Sequence, residues 1–423
     1  MENKRESASG IKIYDYRSAA SHGFYISLFF RAGSMYEREE ECGITHFFEH
    51  AAIRNVNCLM GGELYRTLDR CGIEFNASTY SEMVQFYITG ARGSFRVAAE
   101  IIANLLSPIV LPIEDIATER DRIKAEIREG DERGSLANFT SAIVHKGTSL
   151  SRPITGTAGG ISRISRARLE AYRRRITTRD NIFFYVTGNV TDEDLDYLAS
   201  LVGSAELFDG EKHENIAPVC ENFGKRSPAV NVKSADFTMV RFTFDIDMQK
   251  ISVQASDLLY DLLLGGYNAR LFIEMSENRG LCYDLSGAVE RYKNIGSFTF
   301  TFEVKSGALY DAIELALSIL KALGKENIPE DECMKAGYVG GSELLFDDIR
   351  ELNFTLAYDN HIMDQGYKTL ADRAAAYNSV TPDTLSRAAR ELFRLENLTL
   401  TMKGNKKKID TDRIAALLEK FGK

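Results

Sequence analysis

The sequence predicts an α+β fold made of two duplicated domains, and two observations carry this prediction. A strand-like run opens each half of the 423-residue chain, "GFYISLFFRAG" in the first half and "TMVRFTFDID" in the second. Each half also closes with a strand, a turn and a helix, and Asn181 is as far from Asn397 along the chain as Gly188 is from Gly404. An internal repeat with this constant offset predicts two domains of about 200 residues each.

The elements between these ends repeat in the same order. A helical segment closing on a glycine turn precedes a strand in both halves, and the two glycines, Gly72 and Gly280, have a slightly smaller offset. A β-rich run, an amphipathic helix and a further helix opened by "LPIED" or "IPEDE" then follow. We therefore predict an N-terminal domain at 1–207 and a C-terminal domain at 229–423. The aperiodic, turn-rich segment 208–228 is the predicted linker.

Composition and charge narrow the classes of function. A chain with 44% hydrophobic residues and only seven prolines can bury large cores. Its net charge of −9 argues against nucleic acid or an anionic membrane as partner, because both bind basic surfaces. No apolar run approaches the ~20 residues of a membrane helix, and the N-terminus lacks the apolar core of a signal peptide. Six scattered cysteines contain no CxxC pair, so we expect reduced thiols in a cytoplasmic protein without a membrane span.

The stretch "GITHFFEHAAIRN" contains an H-x-x-E-H motif, which predicts a metal site. On a helix, His46 and His50 lie one turn apart on the same face, with Glu49 beside them. The alternative to a metal site is a surface helix on which the two histidines have no shared function. Catalytic zinc needs a third protein ligand and an open position for water.

The helix after "LPIED" supplies candidates for the third ligand. Glu119 and Glu126 are seven residues apart and face the same way, while Glu129 is a competitor that spacing does not exclude. We expect Glu126 to complete the ligand set of one Zn²⁺ per chain, with Glu49 as general base on a water at the open position. Glu119 would orient a ligand or the base from behind. The alternative for both helix acids is a solvated face.

These features together resemble peptidase family M16, which includes insulysin, pitrilysin and the mitochondrial processing peptidase. The resemblance covers essentially the whole chain, because the motif, the later glutamate Glu126, "LSRPITGTAGGISRI" and "NIFFYVTGNV" match family landmarks. It implies that each domain is a mostly antiparallel sheet packed with helices, as in the LuxS/MPP-like fold, and that the two form half of a clam-shell. The length is similar to that of short, M16B-like bacterial members.

The resemblance implies a zinc endopeptidase that hydrolyses short or unfolded peptides in an enclosed chamber, for general degradation or to mature one dedicated peptide. In the family, an exposed strand edge beside the metal helix takes the substrate as an extra strand. The segment "FNASTYSEMVQFY" carries the matching positions, Asn76 and Ala77. Edge pairing uses main-chain hydrogen bonds and therefore tolerates many sequences. Without the resemblance, an ordinary buried strand is an equal alternative.

The second domain departs from the family pattern at one position. Active members usually carry an arginine seven residues before a tyrosine, and this pair grips the substrate backbone. Here Tyr283 is present, but Ser276 occupies the arginine position, and Arg279 belongs to the turn before Gly280. Because serine does not replace a guanidinium, we expect a homodimer or heterodimer in which an M16-like subunit supplies the arginine. The alternative is a catalytically silent M16-fold structural subunit or a zinc-binding interaction subunit.

Overall fold

The computed structural model describes residues 1–132, 135–220, 223–224, 226–232 and 236–423, so that residues 221, 222 and 225 of the predicted linker lie outside the described part. The predicted α+β class is confirmed. The strands are β1 Asn3–Glu6, β2 Lys12–Arg17, β3 Gly23–Phe30, β4 Glu74–Thr79, β5 Val84–Ala91, β6 Ile182–Gly188, β7 Asn231–Val232, β8 Phe237–Asp247, β9 Leu285–Arg291, β10 Ile295–Lys305 and β11 Leu398–Gly404. The helices are α1 Ile44–Leu59, α2 Leu64–Cys71, α3 Phe95–Ala103, α4 Ile113–Glu132, α5 Leu136–Val144, α6 Ala158–Ser162, α7 Arg166–Ile176, α8 Asp192–Val202, α9 Val253–Tyr260, α10 Arg270–Phe272, α11 Leu309–Leu323, α12 Ala336–Val339, α13 Gly341–Leu344, α14 Ile349–Ala357, α15 Leu370–Asn378, α16 Pro382–Leu392 and α17 Thr411–Gly422.

The strands form two sheets with the same central order. The first sheet runs β1-β2-β6-β3-β5-β4 and the second runs β7-β11-β8-β10-β9. One pair in each sheet is parallel, β2 with β6 and β7 with β11, and the remaining pairs are antiparallel. The series β6-β3-β5-β4 thus corresponds to β11-β8-β10-β9. This correspondence confirms the predicted duplication and the mostly antiparallel sheets.

The chain divides into two compact units that do not follow the sequence halves throughout. The first unit comprises Met1–Gly134, Arg152–Asn215 and Ser342–Asp372. The second comprises Ser135–Ser151, Ile216–Gly341 and Arg373–Lys423. Each unit therefore contains one segment from the other half of the sequence. The domain boundaries predicted from the sequence, which assume continuous halves, stay a prediction.

The two exchanged segments place a buried polar residue against the middle of a sheet. In the first unit, Asn353 of α14 accepts a hydrogen bond from Ser27 Oγ of β3 at 2.7 Å and donates to the Tyr185 carbonyl of β6 at 2.9 Å. In the second unit, Thr140 of α5 pairs with Thr401 of β11 through their hydroxyls at 2.6 Å. The separation of Thr140 from Asn353 along the chain is close to the offset of the repeat. The exchange is therefore reciprocal between equivalent helices.

Helix α1 carries the H-x-x-E-H motif and packs on the first sheet. Its apolar residues recur with helical periodicity and are buried, and burial of each large one contributes roughly 1.5–3 kcal/mol. They are Ile44, Phe47, Phe48, Ala51, Ala52 and Val56. Gly43 precedes the helix at φ +89°, and a Cβ there would lie 2.8 Å from the Gly156 Cα, so this position requires glycine.

Strand β4 is an outer edge of the first sheet and contacts α1. Just beyond β4, the Tyr80 N–H donates to the Met83 carbonyl at 2.8 Å, so Tyr80 and Met83 form a hydrogen-bonded pair. In an antiparallel ladder, hydrogen-bonded and non-hydrogen-bonded pairs alternate. Ala77 and Thr79 therefore belong to non-hydrogen-bonded pairs and turn their own N–H and C=O toward the open edge. Consistently, the Ala77 N–H donates at 2.9 Å to the Asn76 side chain rather than to β5.

Candidate metal centre

Helices α1 and α4 bring three metal-ligand side chains together. The His46 and His50 rings lie one turn apart with centroids 4.7 Å apart. Glu126 of α4 places Oε1 3.7 Å from His46 Nε2 and Oε2 3.7 Å from His50 Nε2. His46 is buried, whereas the Glu126 side chain is 48% exposed, so the cluster is open on one side.

The donor set fits a zinc ion. One ligand atom from each of the three side chains lies within 4.8 Å of the others. Tetrahedral Zn²⁺ at ~2.0–2.1 Å from nitrogen and oxygen would bring its ligand atoms to about 3.3 Å of one another. The two 3.7 Å distances join different Glu126 oxygens, so the three side chains would have to move closer together for one oxygen and both Nε2 atoms to reach this spacing. Two imidazoles and one carboxylate also leave a fourth position free, as catalytic zinc sites do.

Glu119 orients the His50 ring through Nδ1, the ring nitrogen that faces away from Glu126. His50 Nδ1 lies 3.2 Å from Glu119 Oε2, which directs Nε2 toward Glu126. Arg54 donates to the other Glu119 oxygen at 2.8 Å and to Asp115 Oδ1 at 2.6 Å. A carboxylate bonded to the distal nitrogen of a ligand histidine fixes its tautomer and ring direction. Glu119 is buried and thus belongs to the site rather than to a solvated face.

The protonation states of His46 and Glu119 favour binding of a metal cation. Burial, and then the neighbouring His50, lower the pKa of His46 to about 4, so the ring is neutral at physiological pH. Its Nδ1 is buried without a hydrogen-bond partner. Burial opposes ionisation of Glu119, but the hydrogen bonds from His50 and Arg54 outweigh it and lower the pKa of this carboxyl. Neutral imidazole and ionised carboxylates are the forms that bind and support a metal.

Glu49 lies beside the cluster, between α1 and the edge strand. Its Oε2 accepts a hydrogen bond from the Thr79 hydroxyl at the end of β4. Burial, reinforced by the nearby Glu126 charge, raises the pKa of Glu49, while Thr79 and His50 oppose the rise. A carboxylate with a raised pKa next to a water position is a better proton acceptor than an ordinary glutamate.

A buried carboxylate caps the N-terminus of α1. Glu37 accepts hydrogen bonds from the N–H groups of Gly43 and Thr45, both at 2.9 Å. It thereby satisfies donors that have no partner within the helix. Burial nevertheless raises the pKa of Glu37 to about 7, with the two backbone donors opposing the rise.

This buried carboxyl predicts a pH dependence of stability. Because its pKa rises on folding from 4.5 to about 7, the folded state holds a proton between these values that the unfolded state has released. The contribution is fully present below pH 4.5 and is lost as pH rises through about 7, by about 3 kcal/mol in total. In urea unfolding with EDTA present, the free energy of unfolding of the wild type should therefore fall, relative to that of Glu37→Gln, as pH rises from 4.5 to about 7. The exposed Glu39→Gln is the control, and parallel pH profiles for wild type and Glu37→Gln would contradict the expectation.

The residues predicted to bind substrate fall into different parts of the molecule. Asn76 is exposed and Ala77 is partly buried, both on β4. Tyr283 belongs to the second unit and its side chain is 98% exposed. Ser276 lies in a π-helical turn at Ile273–Glu277, and Arg279 is exposed, with Nε 3.9 Å from Glu274. The substrate roles of Asn76, Ala77 and Tyr283 stay predictions.

Sequence reasoning missed two residues of the site and left one question open. Arg54 stands four residues after His50 on the same face of α1, a spacing that was available as a signal. Thr79 follows Ala77 by two residues and therefore shares its face of β4. Of the two candidate third ligands, Glu126 joins the histidines, and Glu129 is not in the cluster found among the described residues.

Comparison with known families gives two matches, which meet between residues 158 and 163. Residues 16–158 match the insulinase family (peptidase family M16), and residues 163–336 match the peptidase M16 inactive domain. The first match contains His46, Glu49, His50, Glu119 and Glu126, and the second contains Ser276 and Tyr283. No helix in the described ranges is both long and apolar enough to cross a membrane.

Similar proteins span most of the chain. An uncharacterized zinc protease of Mycobacterium tuberculosis is 25% identical over 350 residues, 80% of this chain and 79% of that protein. The uncharacterized zinc protease YmxG of Bacillus subtilis is 20% identical over 402 residues, 91% of this chain and 94% of that protein.

Two solved structures share the fold. A protease from Helicobacter pylori matches with a TM-score of 0.84 at 18% identity, over 96% of this chain and 99% of that chain. A peptidase M16 inactive domain from Pseudomonas fluorescens matches with a TM-score of 0.82 at 16% identity, over 96% and 98%. At these identities the likeness concerns the fold.

Proposed function

The chain belongs to peptidase family M16, the insulinase family, and from that premise we propose that it is a zinc-dependent endopeptidase acting on short or unfolded peptides. One observation carries the proposal: His46, His50 and Glu126 converge with Glu49 beside them. A structural subunit that binds no metal has no need of this arrangement, in which a buried acid is bonded to the second nitrogen of a candidate ligand histidine.

In this proposal the site residues act as metal ligands, as an orienting carboxylate and as a general base. Bound zinc would supply Lewis acidity, which lowers the pKa of water and polarises a carbonyl. His46, His50 and Glu126 would hold the ion, one per chain, and Glu119 keeps the His50 ring in place. Glu49 would accept the proton from the attacking water and later deliver it to the leaving amine.

Strand β4 suits the binding of extended peptide. Its outer edge offers main-chain groups at Ala77 and Thr79, and the side chain of Thr79 contacts Glu49. A peptide added as an extra strand would be held by hydrogen bonds that are independent of its sequence. Folded proteins lack a free extended segment, which supports short or unfolded peptides as substrates.

Ser276 supports a partnered enzyme. A serine cannot span the distance or provide the charge of the arginine that family members use at this position. We propose a homodimer or heterodimer in which an M16-like subunit supplies the arginine. The same observation favours the second candidate function, a silent structural or zinc-binding subunit, and measured turnover separates the two.

Turnover of a quenched, unstructured peptide pool by the purified chain with zinc tests the proposal. Hydrolysis that stops on chelation and returns with zinc is the expected result. Bound zinc at one per chain with no hydrolysis, alone or with an M16-like subunit added, would favour the silent alternative. Hydrolysis only in the presence of the added subunit would support the partnered form.

Glu119→Gln should reduce peptide turnover by about 10–100-fold while most zinc is retained. The change weakens the interaction that orients His50, but all three ligand side chains stay in place. Zinc content by atomic spectroscopy and turnover of the peptide pool check both parts. Glu114→Gln, an exposed acid on the same helix, is the control. An unchanged rate for Glu119→Gln would mean that His50 is held well enough without it.

We also propose a cytoplasmic location. All six cysteines are free thiols, the form that reducing compartments maintain. Recovery of the protein in a periplasmic or secreted fraction would contradict this proposal.

A further inference from the structure

We propose that Thr79 is a positioning residue that holds the base Glu49 and connects it to the strand on which the peptide docks. The inference rests on the proposed peptidase function and deepens it, because it concerns how the same site recognises that a substrate is present. We expect the Thr79 hydroxyl to affect the chemical step, and not the affinity for peptide.

The contact itself is direct. The Thr79 hydroxyl donates to Glu49 Oε2, so β4 holds one carboxylate oxygen, and the other would accept the proton from water in the proposed mechanism. Both side chains are partly buried, which strengthens a hydrogen bond to a charged acceptor relative to the same bond in water. The bond also fixes the rotation of the carboxylate, which a general base needs for a good line of proton transfer.

The other neighbours of Glu49 cannot take over this task. His50 and Glu126 raise or lower its proton affinity through their charges, but both are assigned to the metal. Glu49 projects from α1 between these two ligands and the edge strand, and β4 supplies the neutral donor. The base is therefore positioned by the substrate-binding strand and not by the metal cluster.

The backbone of Thr79 makes the connection to substrate. Its N–H and C=O turn toward the open edge, whereas its side chain turns toward α1. A peptide strand paired with this edge would bond to the main chain of the same residue whose side chain holds the base. Pairing would restrict the motion of Thr79 at the end of β4, and the Glu49 carboxylate would be restricted with it.

Thr79→Val keeps the β-branched shape but removes the donor, and Thr79→Ser restores a hydroxyl. We expect Thr79→Val to lower kcat by about 10–100-fold with zinc at one per chain. KM should change by less than about threefold, because main-chain pairing is retained. Thr79→Ser should recover most of kcat. Ser78→Ala is the matched control, since Ser78 points to the opposite face of β4.

Peptide binding without hydrolysis separates positioning from a structural role. In the Glu49→Gln background, adding Thr79→Val should leave the Kd of a fluorescent peptide unchanged, because main-chain pairing with β4 does not use the Thr79 hydroxyl. A Kd that weakens as much as kcat/KM falls, a valine variant with wild-type kcat, or failure of serine to rescue would each overturn the role of Thr79. A wild-type chain that never hydrolyses peptide, with or without partner, removes the proposed function and this inference together. Wild-type hydrolysis with a fully active valine variant removes only the inference.

Discussion

Glu49→Gln is expected to abolish peptide hydrolysis while zinc stays at one per chain. The amide has the size of the carboxylate and can still accept the hydrogen bond from Thr79, but it cannot take a proton from water. General-base catalysis contributes typically 10²–10⁴-fold, so the loss should be at least about that large. The ligand atoms of His46, His50 and Glu126 are untouched by the change.

Turnover of the quenched peptide pool and zinc content by atomic spectroscopy are the two measurements. Glu129→Gln is the matched control, because it makes the same chemical change at an exposed position of α4 outside the cluster. The control should hydrolyse peptide at the wild-type rate. Wild-type activity in Glu49→Gln would refute its role as the base, and loss of zinc there would place it among the ligands.

His46→Ala should lose the metal altogether. The substitution removes one of three protein ligands and leaves His50 and Glu126, which are too few to hold zinc tightly. The loss of affinity should exceed the roughly 10–100-fold that supporting residues cost. Because a bound ion stabilises the folded state, zinc should raise the melting temperature of the wild type but not of the variant.

A competition titration with a chromogenic chelator measures the affinity, and melting with zinc or EDTA measures the stabilisation. His22→Ala is the control, because His22 is an exposed histidine of the same unit. It should bind zinc and melt like the wild type. Full zinc occupancy in His46→Ala would show that the ligand set is wrong, and Glu129 would then be tested as the replacement.

The repeat made much of the fold predictable from the sequence. The equal offsets of Asn181 from Asn397 and of Gly188 from Gly404 reflect equivalent strands, β6 and β11, in the two sheets. The pairing of His46 with His50 follows from helical geometry alone, and so does the shared face of Glu119 and Glu126, although spacing left Glu129 as a competing third ligand. Local periodicity suffices for features of this kind.

The parts that escaped prediction depend on contacts distant in the sequence. The contact of Glu37 with the first turn of α1 forms only when the intervening loop has folded, and the contact of Thr79 with Glu49 forms only when the β4–β5 hairpin has folded. No local sequence pattern indicates either contact. The placement of α14 against β3 joins residues 326 positions apart, Ser27 and Asn353. Such pairs are decided by tertiary packing, which propensity and spacing do not encode.

Because of the exchange of α5 and α14, each half of the sequence lacks one helix of its own compact unit, although the two halves form a tandem duplication. A fragment ending in the linker would lack α14 and expose the sheet face around Phe29, Phe183 and Tyr185, which lie in the apolar cluster of that helix. The complementary fragment would lack α5 and leave Thr401 without its partner. Exposed faces of this kind aggregate. We therefore expect neither half to fold stably when it is expressed alone. Exchange of one half for that of a distant relative should succeed only when α5 and α14 stay with the sheets that they contact.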